Sequence, residues 1–241
     1  MLWINLSERV RLNIFFEIDA FMKEYRRESV EIIGEKGSVK NTFLRGYGKG
    51  SKLAIVFPGF GYTCHMPLLY YPTRLLLQKG FDVLWVETDY STNKKYIESD
   101  DLERSKWIKE DALAACRAAL SAHGYTQLVL IGKSIGTAAL AALLTYKALP
   151  EDSRFIWLTP VINDDEVRAM IIKNPRRNSL FLAGMEDPHY SQDHLREIQE
   201  ATGANVLALA HANHSLEVKG DVFLSIAILK MVIEGIEKMV S

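Results

Sequence analysis

The chain has 241 residues, enough for one α/β domain with a substantial core. Hydrophobic residues make up 48% and charged residues 24%, with 29 Lys plus Arg against 30 Asp plus Glu, a formal charge of −1. That mix excludes a disordered or fibrous chain, and its balance provides no global field to draw the protein onto nucleic acid or an anionic membrane. In chain order, Val10, Ile14, Ile18, Phe21 and Tyr25 recur at helical spacing, so residues 1–28 are expected to form an amphipathic helix packed on the domain. Charges at Glu8, Arg9, Arg11, Glu17 and Asp19 interrupt the apolar core that a signal peptide requires. Gly34-Glu35-Lys36-Gly37 separates two short β-like runs and predicts a hairpin.

From residue 52 the pattern changes to strands alternating with helices. The expected strands are 53–57 (LAIVF), 82–86 (DVLWV), 127–131 (QLVLI), 154–158 (RFIWL), 179–183 (SLFLA) and 205–210. The expected helices are 68–78, 102–123, 135–148, 191–202 and 222–240, with a short one around 165–173. Short apolar strands alternating with helices predict a mainly parallel sheet covered on both faces. No repeat, charge block or Pro/Ser-rich linker divides the chain, so residues 1–241 are read as one domain. Two cysteines, Cys64 and Cys116, cannot form a disulfide framework, and no run of about 18 apolar residues occurs. A soluble, cytoplasmic protein is the expectation.

The strongest local signal is Gly132-Lys133-Ser134-Ile135-Gly136, a G-x-S-x-G directly between an apolar strand and an Ala/Leu-rich helix. A serine on so sharp a turn sits in strained backbone, and glycines two before and two after let neighbouring chain pass close by. The N–H of Ile135 then lies at a helix N-terminus, where it favours an anion. Gly132-Lys133-Ser134 also resembles the tail of a phosphate-binding P-loop. That motif needs a glycine five positions before the Gly-Lys pair, and position 127 is Gln.

At these residues the chain resembles the α/β-hydrolase superfamily, over roughly residues 30–240. The superfamily's order of nucleophile, acid and histidine assigns Ser134, Asp187 and His214 as a catalytic triad. Asp187 follows the fifth strand, 53 residues after Ser134, with Glu186, Asp164 and Asp165 as alternatives. His214 follows the last strand, with His211 as its rival. The loop Pro58-Gly59-Phe60-Gly61 resembles the family's oxyanion loop, with Pro58 replacing the usual histidine. By that resemblance the N–H groups of Phe60 and Ile135 form the oxyanion hole. Tyr62, His65 and Met66 are expected to line the substrate pocket, together with Tyr90, Val161, Ile162 and Tyr190. Only 20 residues, 159–178, separate the fourth and fifth strands, so no large lid is expected.

The implied function is hydrolysis of a small-molecule carboxylic ester or thioester through an acyl-enzyme, without cofactor or metal. Two other readings stand beside it. One is a non-catalytic binding protein of the same fold. The other is a metal hydrolase built from His189, His194, His211, His214 and Asp187, whose spacings match no common zinc signature. Oligomeric state is not legible.

Overall fold

The computed structural model describes residues 25–46, 50–122 and 124–241. The helix expected over residues 1–28 falls mostly on residues 1–24, outside the described residues. Its last four positions are not helical: Tyr25–Glu28 is a strand, β1, paired antiparallel with β4 (Asn41–Gly46). Between them lies the expected hairpin, β2 (Ile33–Gly34) and β3 (Gly37–Ser38). Cross-strand pairing with an open sheet edge outweighs the helical spacing of Tyr25.

The parallel core follows: β5 (Lys52–Phe57), α1 (Pro67–Gln78), β6 (Asp82–Val86), α2 (Lys94–Glu98), α3 (Asp101–Ala122), β7 (Gln127–Lys133), α4 (Gly136–Leu143), β8 (Arg154–Leu158), α5 (Asp165–Lys173), β9 (Ser179–Gly184), α6 (Gln192–Thr202), β10 (Asn205–Leu209) and α7 (Val222–Val240). The eight-stranded sheet has the order β1-β4-β6-β5-β7-β8-β9-β10. Strands β5 to β10 pair in parallel, while β4 meets β6 antiparallel. The mainly parallel sheet read from the sequence is therefore present, closed at one edge by an antiparallel pair.

Strands β5 to β9 read as continuous apolar runs because both faces are buried. On β7, Leu128 and Leu130 enter the core beneath α3, α4, α5 and α6, while Val129 and Ile131 enter the core beneath α1 and α7. Caps fix where several helices start. Asn93, Asp164, Ser191 and Asp221 each place a side-chain oxygen on an N–H of the first turn of α2, α5, α6 and α7. Helix α4 is shorter than the sequence suggests. After Leu143 the bonds tighten to i→i+3 (Leu144 to Ala141, Tyr146 to Leu143), and Pro150 follows. Among the described residues no helix is long and apolar enough to cross a membrane.

Candidate active site

Ser134 stands in the turn between β7 and α4 with φ +52°, a left-handed conformation unusual for a residue with a side chain. The two flanking glycines permit it. A methyl group on Gly132 would lie 2.5 Å from the Gly136 carbonyl oxygen, and one on Gly136 would lie 2.4 Å from that of Phe57. Two further contacts hold the turn. The Ser134 N–H donates to the Leu158 carbonyl at 2.9 Å. The Thr137 hydroxyl donates to the Ser134 carbonyl at 2.6 Å and accepts from the Val161 N–H at 3.1 Å. Thr137 is fully buried, and its role is invisible in the sequence because both contacts depend on the turn already being formed.

The three residues assigned by resemblance come together. The Ser134 hydroxyl lies 2.9 Å from His214 Nε2, and His214 Nδ1 lies 2.7 Å from Asp187 Oδ2. The carboxylate fixes the tautomer: Nδ1–H donates to it, and Nε2 is left to accept from the serine. The second carboxylate oxygen, Oδ1, accepts the His189 N–H at 2.9 Å. Burial pushes the Asp187 carboxyl up, but the hydrogen bonds from His214 and His189 outweigh it and hold the group below its usual value. The His189 ring also meets His214 edge-on, with centroids 5.4 Å apart. His189, which the sequence offered only as a ligand in the metal reading, is thus a second support of the pair.

The alternatives have other partners. Glu186 pairs with His211 at 3.4 Å, both exposed. Asp164 caps α5, and Asp165 pairs with Arg168 at its surface. The acid and histidine loops meet because Gly184 has no side chain: a methyl there would lie 2.2 Å from the Ala212 carbonyl oxygen. Asn213 then shapes the histidine turn, its side-chain oxygen accepting from the N–H groups of Ser215 and Glu217.

The expected oxyanion loop forms a tight turn in which the Gly59 N–H donates to Tyr62 at 3.0 Å. Phe60 occupies its exposed corner, and Gly61 takes φ +68°. A methyl on Gly59 would come within 3.3 Å of Ser134 Cβ, so the turn adjoins the serine. Among the described residues the N–H groups of Phe60 and Ile135 have no acceptor. Of the three expected pocket residues, His65 lines a cavity beside Gly59. Tyr62 is half-buried against the core on the α1 side, and its hydroxyl accepts the Leu68 N–H at the start of α1. Met66 is exposed at the head of α1. Tyr90 lines a larger neighbouring cavity, and Ile162 is core.

Lys133, the residue before the serine, is 1% exposed. Its ammonium lies 5.1 Å from the Tyr62 ring centroid. Burial pulls it down to about 7, partly opposed by the charge of Asp187. Of the residues of the metal reading, Asp187, His189 and His214 lie together, while His194 and His211 turn to other partners. His194 bonds Asn163, His211 bonds Glu186, and among the described residues no group of three or more His, Cys, Asp or Glu side chains is placed to hold a metal ion.

No family model matches the sequence, and a search of curated proteins finds no match either. Solved structures do match. An esterase from Pyrococcus furiosus superposes with a TM-score of 0.67 at 13% identity, covering 92% of this chain and 95% of its own. An α/β serine hydrolase without a lid, from Xanthomonas campestris, gives 0.66 at 15% identity over 90% and 95%. An α/β serine hydrolase homologue from Coxiella burnetii gives 0.64 at 15% over 88% and 96%. The chain has the α/β-hydrolase fold.

Proposed function

We propose that the protein is a serine hydrolase that cleaves a small-molecule carboxylic ester or thioester. The observation that carries this reading is the pair of hydrogen bonds running from Ser134 through His214 to Asp187, with the serine on a strained turn beside two N–H groups that lack an acceptor among the described residues. A serine hydroxyl is a weak nucleophile unless a base takes its proton. In this reading Nε2 of His214 accepts that proton as Oγ attacks the carbonyl carbon. Asp187 stabilises the imidazolium, and the N–H groups of Ile135 and Phe60 hold the oxyanion, each donor worth about 3–4 kcal/mol. Collapse breaks the ester bond, and His214 returns the proton to the departing alcohol or thiol. Water, activated by the same nitrogen, then releases the acid and restores the serine.

The reading treats the chain as one domain in a reducing, cytoplasmic setting. Cys64 and Cys116 are both buried and unpaired, with burial raising their thiols. It also favours short acyl groups. The segment between β8 and β9 carries only α5 and offers little apolar wall to cover a long chain, which forgoes about 0.8 kcal/mol per uncovered methylene. The test is kcat/KM on p-nitrophenyl esters of graded chain length, with Ser134→Ala as control. Acetyl and butyryl esters are expected to be cleaved fastest, with no turnover by the variant. A kcat/KM that climbs steadily to palmitoyl contradicts the chain-length claim, and turnover equal to wild type in Ser134→Ala contradicts the assignment.

A further inference from the structure

The β2–β3 hairpin plays no part in the chemistry above, yet it is fastened to the body of the protein. Lys36 pairs with Glu103 at 2.7 Å and Glu35 with Lys106 at 2.8 Å, both partners lying on α3. Gly34 rests directly on the buried Asp111 of α3: a methyl at Gly34 would come within 2.1 Å of its Oδ1. So fastened, the hairpin becomes the outer wall of a cavity of about 520 Å³, within the ~300–1,000 Å³ typical of ligand sites. Residues 87–90 form its inner wall.

That cavity has a neighbour on the side of Gly59. A second one, of about 160 Å³, is lined by Pro58, Gly59 and His65, and shares Lys40, Glu87, Thr88 and Asp89 with the first. Gly59 is the residue whose added methyl would approach Ser134 Cβ to 3.3 Å. A small void of about 10 Å³ borders Tyr90 and Asp111 at the back of the groove and Pro58 and Ile135 beside the serine turn. The candidate oxyanion loop thus lines the second cavity and the hairpin lines the first, with residues 87–89 and Lys40 as their common wall.

Its walls carry both signs of charge. Lys36 and Lys40 line it together with Glu87, Asp89 and Asp111, and with Ser38, Thr88, Thr92 and Asn93. Asp111 is 5% exposed, accepts the Tyr90 hydroxyl at 2.9 Å, and is pushed up to about 6 by burial. Among the described residues the Lys40 amine has no ion-pair or hydrogen-bond partner. An alkyl chain here would strand these groups without partners, at a cost for each one desolvated. A charged ligand would meet its own sign. A neutral molecule with several hydroxyls suits both, because each hydroxyl donates to a carboxylate and accepts from an ammonium or amide.

We propose, resting on the hydrolase reading, that the alcohol half of the substrate is a polyhydroxylated, sugar-like molecule seated in this groove between the hairpin and residues 87–93. The bond broken is then the ester between a short acyl group and one of its hydroxyls. That oxygen leaves with the proton from His214 while the remaining hydroxyls engage Lys40, Asp89 and Asp111.

The test uses the whole chain and two arms. In the first, kcat/KM for a monoacetylated methyl hexoside is divided by that for p-nitrophenyl acetate, in wild type, in Lys40→Met and in Ser38→Trp, which fills the groove from an exposed position. The ratio is expected to fall at least tenfold in Ser38→Trp and severalfold in Lys40→Met, chiefly through KM. A ratio unchanged in both overturns the proposal, as does a wild type that cleaves p-nitrophenyl acetate and ignores the hexoside ester. In the second arm, Ser134→Ala is titrated calorimetrically with the acetylated hexoside. Saturable binding that Ser38→Trp abolishes supports the groove, and no binding overturns it. Failure of the hydrolase reading looks different: neither ester is cleaved, while the hexoside ester still binds.

Discussion

The turn that carries Ser134 and the loops that carry Asp187 and His214 reach one site by different routes. The serine turn is specified locally: five consecutive residues supply the strained position, the two glycines that permit it and the helix start behind it. The acid and histidine loops are specified at a distance. Asp187 and His214 are 27 residues apart, and they meet because Gly184, at the end of β9, lets the chain at Ala212 and Asn213 pass against it. Strain is concentrated at the same rim. Among the described residues, the non-glycine positions with positive φ are Ser134, Thr159, His211 and Leu216, all at strand C-terminal ends or in the histidine loop. A site built this way should fail abruptly when the local turn loses its chemistry, and gradually when the distant contact loosens.

The largest effects are expected at the reacting groups. His214→Ala should lower kcat by about six orders of magnitude, because serine then attacks unassisted. Its neighbour His211 makes only an exposed pair with Glu186, worth about 0–1 kcal/mol, so His211→Ala should change kcat little. Parallel assays on one ester, with circular dichroism to confirm folding, check the contrast. A dead His211→Ala beside an active His214→Ala would reverse the assignment.

An intermediate effect is expected at the distant contact. Gly184→Ala forces its methyl against the Ala212 carbonyl, an overpacking that costs about 1–3 kcal/mol and moves His214 away from Asp187. Denaturant unfolding should show the lost stability, and kcat should fall while the serine turn stays intact. Full stability and full activity would mean that the two loops are held together by something other than this approach.

The smallest effect on activity is expected at a cost built into the serine turn itself, one that falls on stability. Lys133 gives up its proton near 7 in the folded protein, against 10.5 when exposed. Between those values the unfolded chain binds more protons, so stability rises with pH across that window. Lys133→Met removes a buried amine without changing its volume much. It is expected to raise Tm at pH 7, with the gain shrinking toward pH 10. A gain independent of pH would show that the cost does not come from the protonation of Lys133, and a loss at pH 7 would show that the charged amine contributes to the fold.

The same contrast governs what could be read from sequence. Strands β5 to β9 were legible because they are buried on both faces and therefore nearly uniformly apolar, β10 at the half-exposed edge by its short apolar run, and Ser134 because its requirements are contiguous. Asp187 and His214 followed only through a resemblance to a known chain order. Helix α2 was missed: it is five residues long and depends on the Asn93 cap rather than on a periodic apolar face. The clamp between hairpin and α3 was also hidden. Its ion pairs join residues 67 and 71 positions apart, and nothing local distinguishes Glu103 or Lys106 from any other surface charge. Thr137 and His189 act only through neighbours that the fold delivers. Tyr25 shows the opposite failure, a helical spacing overridden by pairing at a sheet edge.

The central claim is that Ser134 is a nucleophile activated by His214. The most direct measurement is intact-protein mass spectrometry after exposure to a fluorophosphonate, with peptide mapping of the modified residue. One adduct per chain on Ser134 is expected, absent from Ser134→Ala and formed far more slowly in His214→Ala. No adduct on the folded wild type, or labelling of another residue that persists in Ser134→Ala, would contradict the account and leave the α/β-hydrolase fold here without hydrolase chemistry.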